Sequence, residues 1–186
     1  MKMCRTDSGF TLVELMVTLV LLGIIAATAL PSMSDFIERH RNQEAARQLF
    51  GSLNYARTMA VARQAYVVVC GSVNDRDCVE SWNRGGMMFL DSDRDGARDA
   101  DEEILQHLSR IPAGSELTFY GGIADELRYK PDGRLNASGH ISYCPPDHNA
   151  ESGWILVFFY SGRPYFGRDG DGDGIAEDGT GDDLSC

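Results

Sequence analysis

Gly9-Phe10-Thr11-Leu12-Val13-Glu14-Leu15 opens the stretch on which the fold turns: an apolar run begins at Phe10 and reaches Leu30 with one carboxylate inside it. The run is 21 residues long, about 31 Å of helix at ~1.5 Å per residue, against a hydrocarbon core of ~30 Å. That length predicts a transmembrane helix over 10–30. A secretory signal peptide would have a shorter apolar region with a small-residue cleavage site after it; here the small residue, Gly9, comes first. Lys2 and Arg5 precede the run and Arg39 and Arg41 follow it, so flanking charge says little about orientation.

Glu14 is the residue that a plain signal anchor does not explain. An ionised carboxylate within an apolar membrane helix costs about 2.5–3.5 kcal/mol at the centre and less towards the end, and no Lys, Arg or His lies between Phe10 and Leu30 to meet it. Cleavage after Gly9 would create a partner, the new amino group of Phe10 on a neighbouring subunit. The residues Gly9 to Leu15 resemble the class III signal of type IV pilins and pseudopilins. The resemblance implies a leader over 1–9, a prepilin peptidase that cuts between Gly9 and Phe10 and N-methylates Phe10, and Glu14 as the assembly carboxylate. It also implies a helix kink near Pro31, a single-pass inner-membrane protein with its C-terminal domain in the periplasm, and two further partners. These are the other pilins or pseudopilins of a filament and an inner-membrane assembly platform.

Beyond Pro31 the apolar residues take up a helical period. Leu49, Phe50, Leu53, Ala56 and Ala60 step at three and four, with Phe36, Ala45, Ala46 and Met59 close to the same stripe. Glu38, Arg39, Arg41, Asn42, Glu44, Arg47, Gln48, Asn54, Arg57 and Arg63 fill the other face. This predicts an amphipathic continuation over 31–64, its stripe packed on a sheet. From Ala65 the chain breaks into short β-branched and aromatic runs: 66–70, 86–90, 103–108, 116–120, 127–129, 140–144, 154–160 and 164–166. Turn residues such as Pro131-Asp132-Gly133 and Ser161-Gly162-Arg163 separate them. The expected fold class is α+β, a long N-terminal helix packed on a small antiparallel sheet domain over 65–168, with an acidic tail over 169–186. The order Cys70, Cys78, Trp82, Gly85 to Asp91, an acidic turn, Tyr129 to Gly133 and a late Ser161-Gly162-Arg163 is similar to the GspH/FimT branch of the pilin superfamily.

Five cysteines sort by compartment under that topology: Cys4 lies in the leader, and Cys70, Cys78, Cys144 and Cys186 fall in an oxidising periplasm. Four cysteines permit three pairings. Cys70–Cys78, closing a hairpin loop, and Cys144–Cys186, pinning the tail, is the favoured set.

Two acidic segments carry the remaining chemistry. Asp91, Asp93, Asp95, Gly96 and Glu102 satisfy the D-x-D-x-D-G-x5-E calcium pattern, with the Ala97 carbonyl and Asp99 as further ligand positions. The flanks read as strands, so this would be an isolated calcium loop, and a solvated acidic hairpin tip is the plainer reading. Asp169, Asp171, Asp173 and Glu177 repeat the start of the pattern, but Thr180 stands where the closing glutamate belongs. A flexible Gly/Asp tether is the plainer reading there.

The chain carries 17 Lys and Arg against 28 Asp and Glu, a net charge of −11, which disfavours nucleic acid and anionic headgroups as partners. No GxSxG, P-loop, HExxH or dinucleotide fingerprint occurs, so no enzyme is indicated and no cofactor is required beyond possible calcium. The expected function is a structural minor pilin or pseudopilin that initiates or caps a filament of a type II secretion system or type IV pilus. The alternative is a DNA-binding minor pilin for natural transformation. It is opposed by the run from Arg168 to Cys186, where one base stands against seven acids.

Overall fold

A computed structural model describes residues 11–121 and 126–186. The chain forms two compact units, Met1–His40 and Arg41–Cys186. One helix, α1 (Leu12–Arg63), contributes to both. Thr11 caps it: the Thr11 hydroxyl accepts the Glu14 N–H at 3.2 Å, and Glu14 in the first turn and Arg63 in the last complement the helix dipole. The helix ends in a left-handed residue, Gln64 (φ 50°). There the Ala65 N–H reaches back to the Ala60 carbonyl and the Gln64 N–H to that of Val61, satisfying carbonyls that would otherwise lack donors.

The structure corrects the membrane expectation. Among the described residues no helix is long and apolar enough to cross a membrane, so the transmembrane half over 10–30 and the single-pass inner-membrane placement do not stand. The length of α1, 52 residues, is not the limit. Counting from Phe10 carries the run across Glu14. The uncharged stretch from Leu15 to Leu30 is 16 residues, about 24 Å of helix against the ~30 Å required.

In the second unit the α1 residues from Arg41 to Arg63 pack on eight strands among the described residues. These are β1 (Tyr66–Gly71), β2 (Gly86–Asp91), β3 (Ile104–Leu108), β4 (Glu116–Gly121), β5 (Glu126–Tyr129), β6 (Gly139–Cys144), β7 (Trp154–Phe158) and β8 (Pro164–Phe166). They form two four-stranded sheets of order β3-β2-β1-β5 and β4-β6-β7-β8, with every pairing antiparallel. The strands expected from the sequence are all present, within two residues at each end.

One core joins the helix to both sheets: Leu53, Ala56 and Ala60 meet Val67, Val69 and Met88 of the first sheet and Ile141, Leu156 and Phe158 of the second. Strand alternation sends the intervening side chains the other way. Val68 and Cys70 cluster with Met87 and Phe89, while Ile155 and Val157 cluster with Leu184. Asn42 departs from the polar face on which its neighbours place it. It is buried, with its side-chain oxygen accepting from the Tyr143 hydroxyl (2.7 Å) and its carbonyl from Trp154 Nε1 (3.1 Å). Phe36, grouped with the stripe in sequence, is exposed.

The C-terminal segment is a folded strap. Leu184 is 4% exposed, its N–H bonds the Ala176 carbonyl, Glu177 and Asp183 form a β-bridge, and Ile175 and Ala176 pack beside Ile155 and Val157. The flexible tether is thereby overturned. Two covalent bonds close the unit, Cys70–Cys78 and Cys144–Cys186. His140 Nδ1 lies 3.5 Å from Asp178 Oδ2, joining strap to sheet. Burial lowers the His140 imidazole below its ordinary 6.5, with Asp178 opposing. For Asp178, burial acts to raise the carboxyl. Hydrogen bonds from Thr180 and Asp182, helped by His140, outweigh it and hold the group below 3.8.

Two predictions follow from the strap. Loop-closure entropy over a sequence separation of 42 residues predicts that the Cys144→Ser, Cys186→Ser double variant loses up to about 4 kcal/mol. Hydrogen exchange should rise over 168–186 while β1 and β2 remain protected; unchanged exchange in the strap would show that apolar packing alone holds it. Because His140 is depressed in the folded state, the unfolded chain binds more protons just below 6.5. Stability is therefore full above that pH and falls as pH drops through the folded value, with Asp178 adding a second loss below 3.8. Melting curves between about pH 7 and about pH 5 should show this fall, and His140→Gln should flatten it.

Candidate functional site

At the start of α1, Glu14 is exposed, and its own N–H is held by Thr11. Thr11 and Glu14 stand at the spacing of a helix capping pair, a signal present in the sequence and missed behind the cleavage motif. Gly9 and Phe10 lie outside the described residues. The large apolar side chains around it are exposed, including Leu12, Met16, Val20 and Leu22.

The second place is the loop between β2 and β3. Asp91 is the last residue of β2, so the strand aims its side chain inward; it is 1% exposed. One oxygen each from Asp91, Asp93 and Asp95 lies within 4.8 Å of the others. The turn that brings them together is held by the loop's own amides: Arg94 N–H to Asp91 Oδ1 (2.7 Å), Asp95 N–H to Asp93 and Ala97 N–H to Asp95. Gly96 adopts φ +85°, which favours glycine. A Cβ there would also run into the Arg128 guanidinium and the Glu126 carboxylate. Glu102, also buried, spans the loop mouth, accepting the Ser92 N–H at 2.6 Å and the Asp99 N–H at 3.1 Å. Asp99 stays exposed, supplying its carbonyl to the Glu102 N–H.

Arg128 of β5 is the residue sequence reading missed. Its Nε lies 3.7 Å from Asp91 Oδ2, its Nη1 donates to the Arg94 carbonyl, and its Nε and Nη2 donate to Glu126 Oε1. No spacing in the sequence links position 128 to position 91; only the pairing of β1 with both β2 and β5 does. Burial raises the Asp91 carboxyl above its ordinary 3.8. The Arg94 N–H and Arg128 pull the other way, and Asp93 and Asp95 add to the rise.

The third place is the strap. Asp169, Asp171 and Asp173 also converge within 4.8 Å, all exposed. Glu177 Oε1 accepts the Gly170 N–H. Asp183, not singled out in the sequence, faces the same group: partial loss of water raises its carboxyl, and then the charges of Asp173, Asp171, Glu177 and Asp169. Acidic clusters that could coordinate a metal thus exist at two places.

Comparison with known proteins places the chain. A family model described as "Type II transport protein GspH" matches residues 45–159, and one described as "Prokaryotic N-terminal methylation motif" matches residues 4–30. The fimbrial protein EcpC of Eikenella corrodens is 44% identical over 41 residues, and a fimbrial protein of Moraxella nonliquefaciens 51% over 41. Each match takes in 22% of this chain and 27% of the relative, so the chain spans about a quarter of the curated relatives it matches. Among solved structures, the type IV minor pilin FimU of Pseudomonas aeruginosa aligns with TM-score 0.56 at 20% identity, over 72% of this chain and 92% of that one. The minor pseudopilin EpsH from the type 2 secretion system of Vibrio cholerae aligns with TM-score 0.52 at 14% identity, over 70% and 99%. At those identities the likeness is one of fold. With the family model covering more than half its length, the chain belongs to the GspH family of type II transport proteins.

Proposed function

We propose that the chain is a minor pilin or pseudopilin, a structural and non-catalytic subunit. It assembles with other pilins or pseudopilins into a filament of a type II secretion or type IV pilus apparatus. The observation that carries this is the exposed apolar surface of α1 from Leu12 to Leu22. A helix apolar on all sides is stable only when covered, and the helices of neighbouring subunits are the cover a filament supplies. Within that packing Glu14 meets the Phe10 amine of a neighbour, after a prepilin peptidase has cut behind Gly9 and methylated Phe10. The two disulfides suit assembly in an oxidising compartment. The DNA-receptor alternative is set aside, because Arg168 opens a strap that carries seven acids.

Mass spectrometry of the chain from a host with an active prepilin peptidase should find it nine residues shorter, starting at N-methylated Phe10. An intact Met1 terminus would overturn the processing step. Glu14→Ala should be cut normally yet disappear from sheared filament fractions; recovery there at wild-type level would overturn the pairing.

A second reading is favoured by Asp91. Its Oδ2 is buried and, among the described residues, has no hydrogen-bond donor. A calcium ion held by Asp91, Asp93, Asp95, the Ala97 carbonyl, Asp99 and Glu102 would satisfy it, since calcium accepts a flexible shell of six to eight oxygens. Saturation at a hundredfold over Kd stabilises by about 2.7 kcal/mol. The melting temperature of the full chain should rise in millimolar calcium, much less in magnesium, and Asp93→Ala with Asp95→Ala should abolish the rise. Identical melting in calcium and chelator would end this reading.

A further inference from the structure

The carboxylates of the β2–β3 loop already have a cation beside them, and it is part of the protein. Arg128 is fixed from three directions: Glu126 Oε1 holds Nε and Nη2, the Arg94 carbonyl holds Nη1, and the guanidinium lies against Gly96 at the sixth position of the loop. From there Nε sits 3.7 Å from the buried Asp91 Oδ2, close enough to offset its charge and too far for a hydrogen bond. The Arg128 side chain is itself only 22% exposed and that of Asp91 fully covered, so water screens this pair weakly. An ion bound to Asp91, Asp93 and Asp95 would place two positive charges next to a third that cannot deprotonate.

We propose that Arg128 is the resident counter-cation of the Asp91–Glu102 loop and competes with calcium for Asp91, so that β5 sets the affinity of a site built between β2 and β3. The inference rests on the calcium reading above and deepens it. Without calcium, Arg128 keeps a buried carboxylate and its two acidic neighbours together in the folded state. With calcium, the ion takes Asp91 and the guanidinium falls back on Glu126 and the Arg94 carbonyl. The loop would then be ordered in both conditions and respond only where calcium is plentiful.

The test is a calcium chloride titration of the full chain by calorimetry, in a background of Asp171→Ala and Asp173→Ala so that the strap does not contribute. Arg128→Gln should tighten calcium binding about tenfold by removing the competing charge. In chelator the same variant should melt lower than its parent, and saturating calcium should bring the two melting temperatures together. Arg128→Lys guards against a folding failure of the Gln variant: it keeps a charge but loses the fork, and should tighten binding by less than Arg128→Gln. Equal calcium affinity in parent and Arg128→Gln would overturn the competition while leaving the calcium site standing. Weaker binding in either Arg128 variant would overturn it too, making Arg128 a support of the loop. No binding by parent or variants would remove the calcium reading and this inference with it.

Discussion

Three side chains on about two turns of helix, Leu53, Ala56 and Ala60, have no exposed surface, and both sheets close on them. Two of the three are alanines. Small side chains there let inner-face residues of two sheets approach a single helix, so one core serves both layers. The register of that packing is set about three turns upstream by Asn42. A buried amide is costly unless its polar atoms are met. Here Tyr143 and Trp154, stacked with ring centroids 4.9 Å apart, each donate to an Asn42 oxygen. Asn42 Nδ2 has no hydrogen-bond partner among the described residues, and Ser115 and the Tyr143 hydroxyl share a further hydrogen bond. Sliding the helix by one turn would break both bonds to Asn42 together.

The same helix is asked for opposite things along its length. In the second unit it shows small apolar residues inward and charge outward. Near its start, from Leu12 to Leu22, it exposes large apolar residues, interrupted by Glu14. A surface of that kind has no reason to exist on an isolated molecule. In the proposed filament, van der Waals contact among like helices takes the place of a core. The second unit is held by its own core and two disulfides.

Much of this was legible in the residues, for physical reasons that can be named. The strand Tyr66 to Cys70 is an unbroken apolar run with three successive valines, as a strand covered on both faces must be, and Val67 and Val68 do point into different clusters. Gly133 in Pro131-Asp132-Gly133 takes the positive φ, +78°, that such a turn calls for. Where reading failed, information at a distance was needed. Asn42 looks polar and therefore exposed until Tyr143 and Trp154 are brought to it. The strap looks like a tether because its composition is that of a loop, and only Ile175, Ala176 and Leu184 hint that it has an inner side. Arg128 is one arginine among many until the sheet sets it beside Asp91. The membrane span was misread by running the apolar count through Glu14.

The path of β5 has a kinetic meaning. Sheet order places it at the edge of the first sheet, although in sequence it lies between β4 and β6, which pair with each other in the second. The chain therefore leaves the second sheet after one strand, finishes the first, and returns. Neither sheet can be completed in isolation as the polypeptide emerges: β1, β2 and β3 can zip early through local contacts, but their fourth strand arrives more than 50 residues after the first. Such non-local closure is slow. It also means that the acidic β2–β3 loop forms before the strand bearing Arg128 exists, so the nascent loop spends part of folding with its like charges unopposed and its pairing postponed.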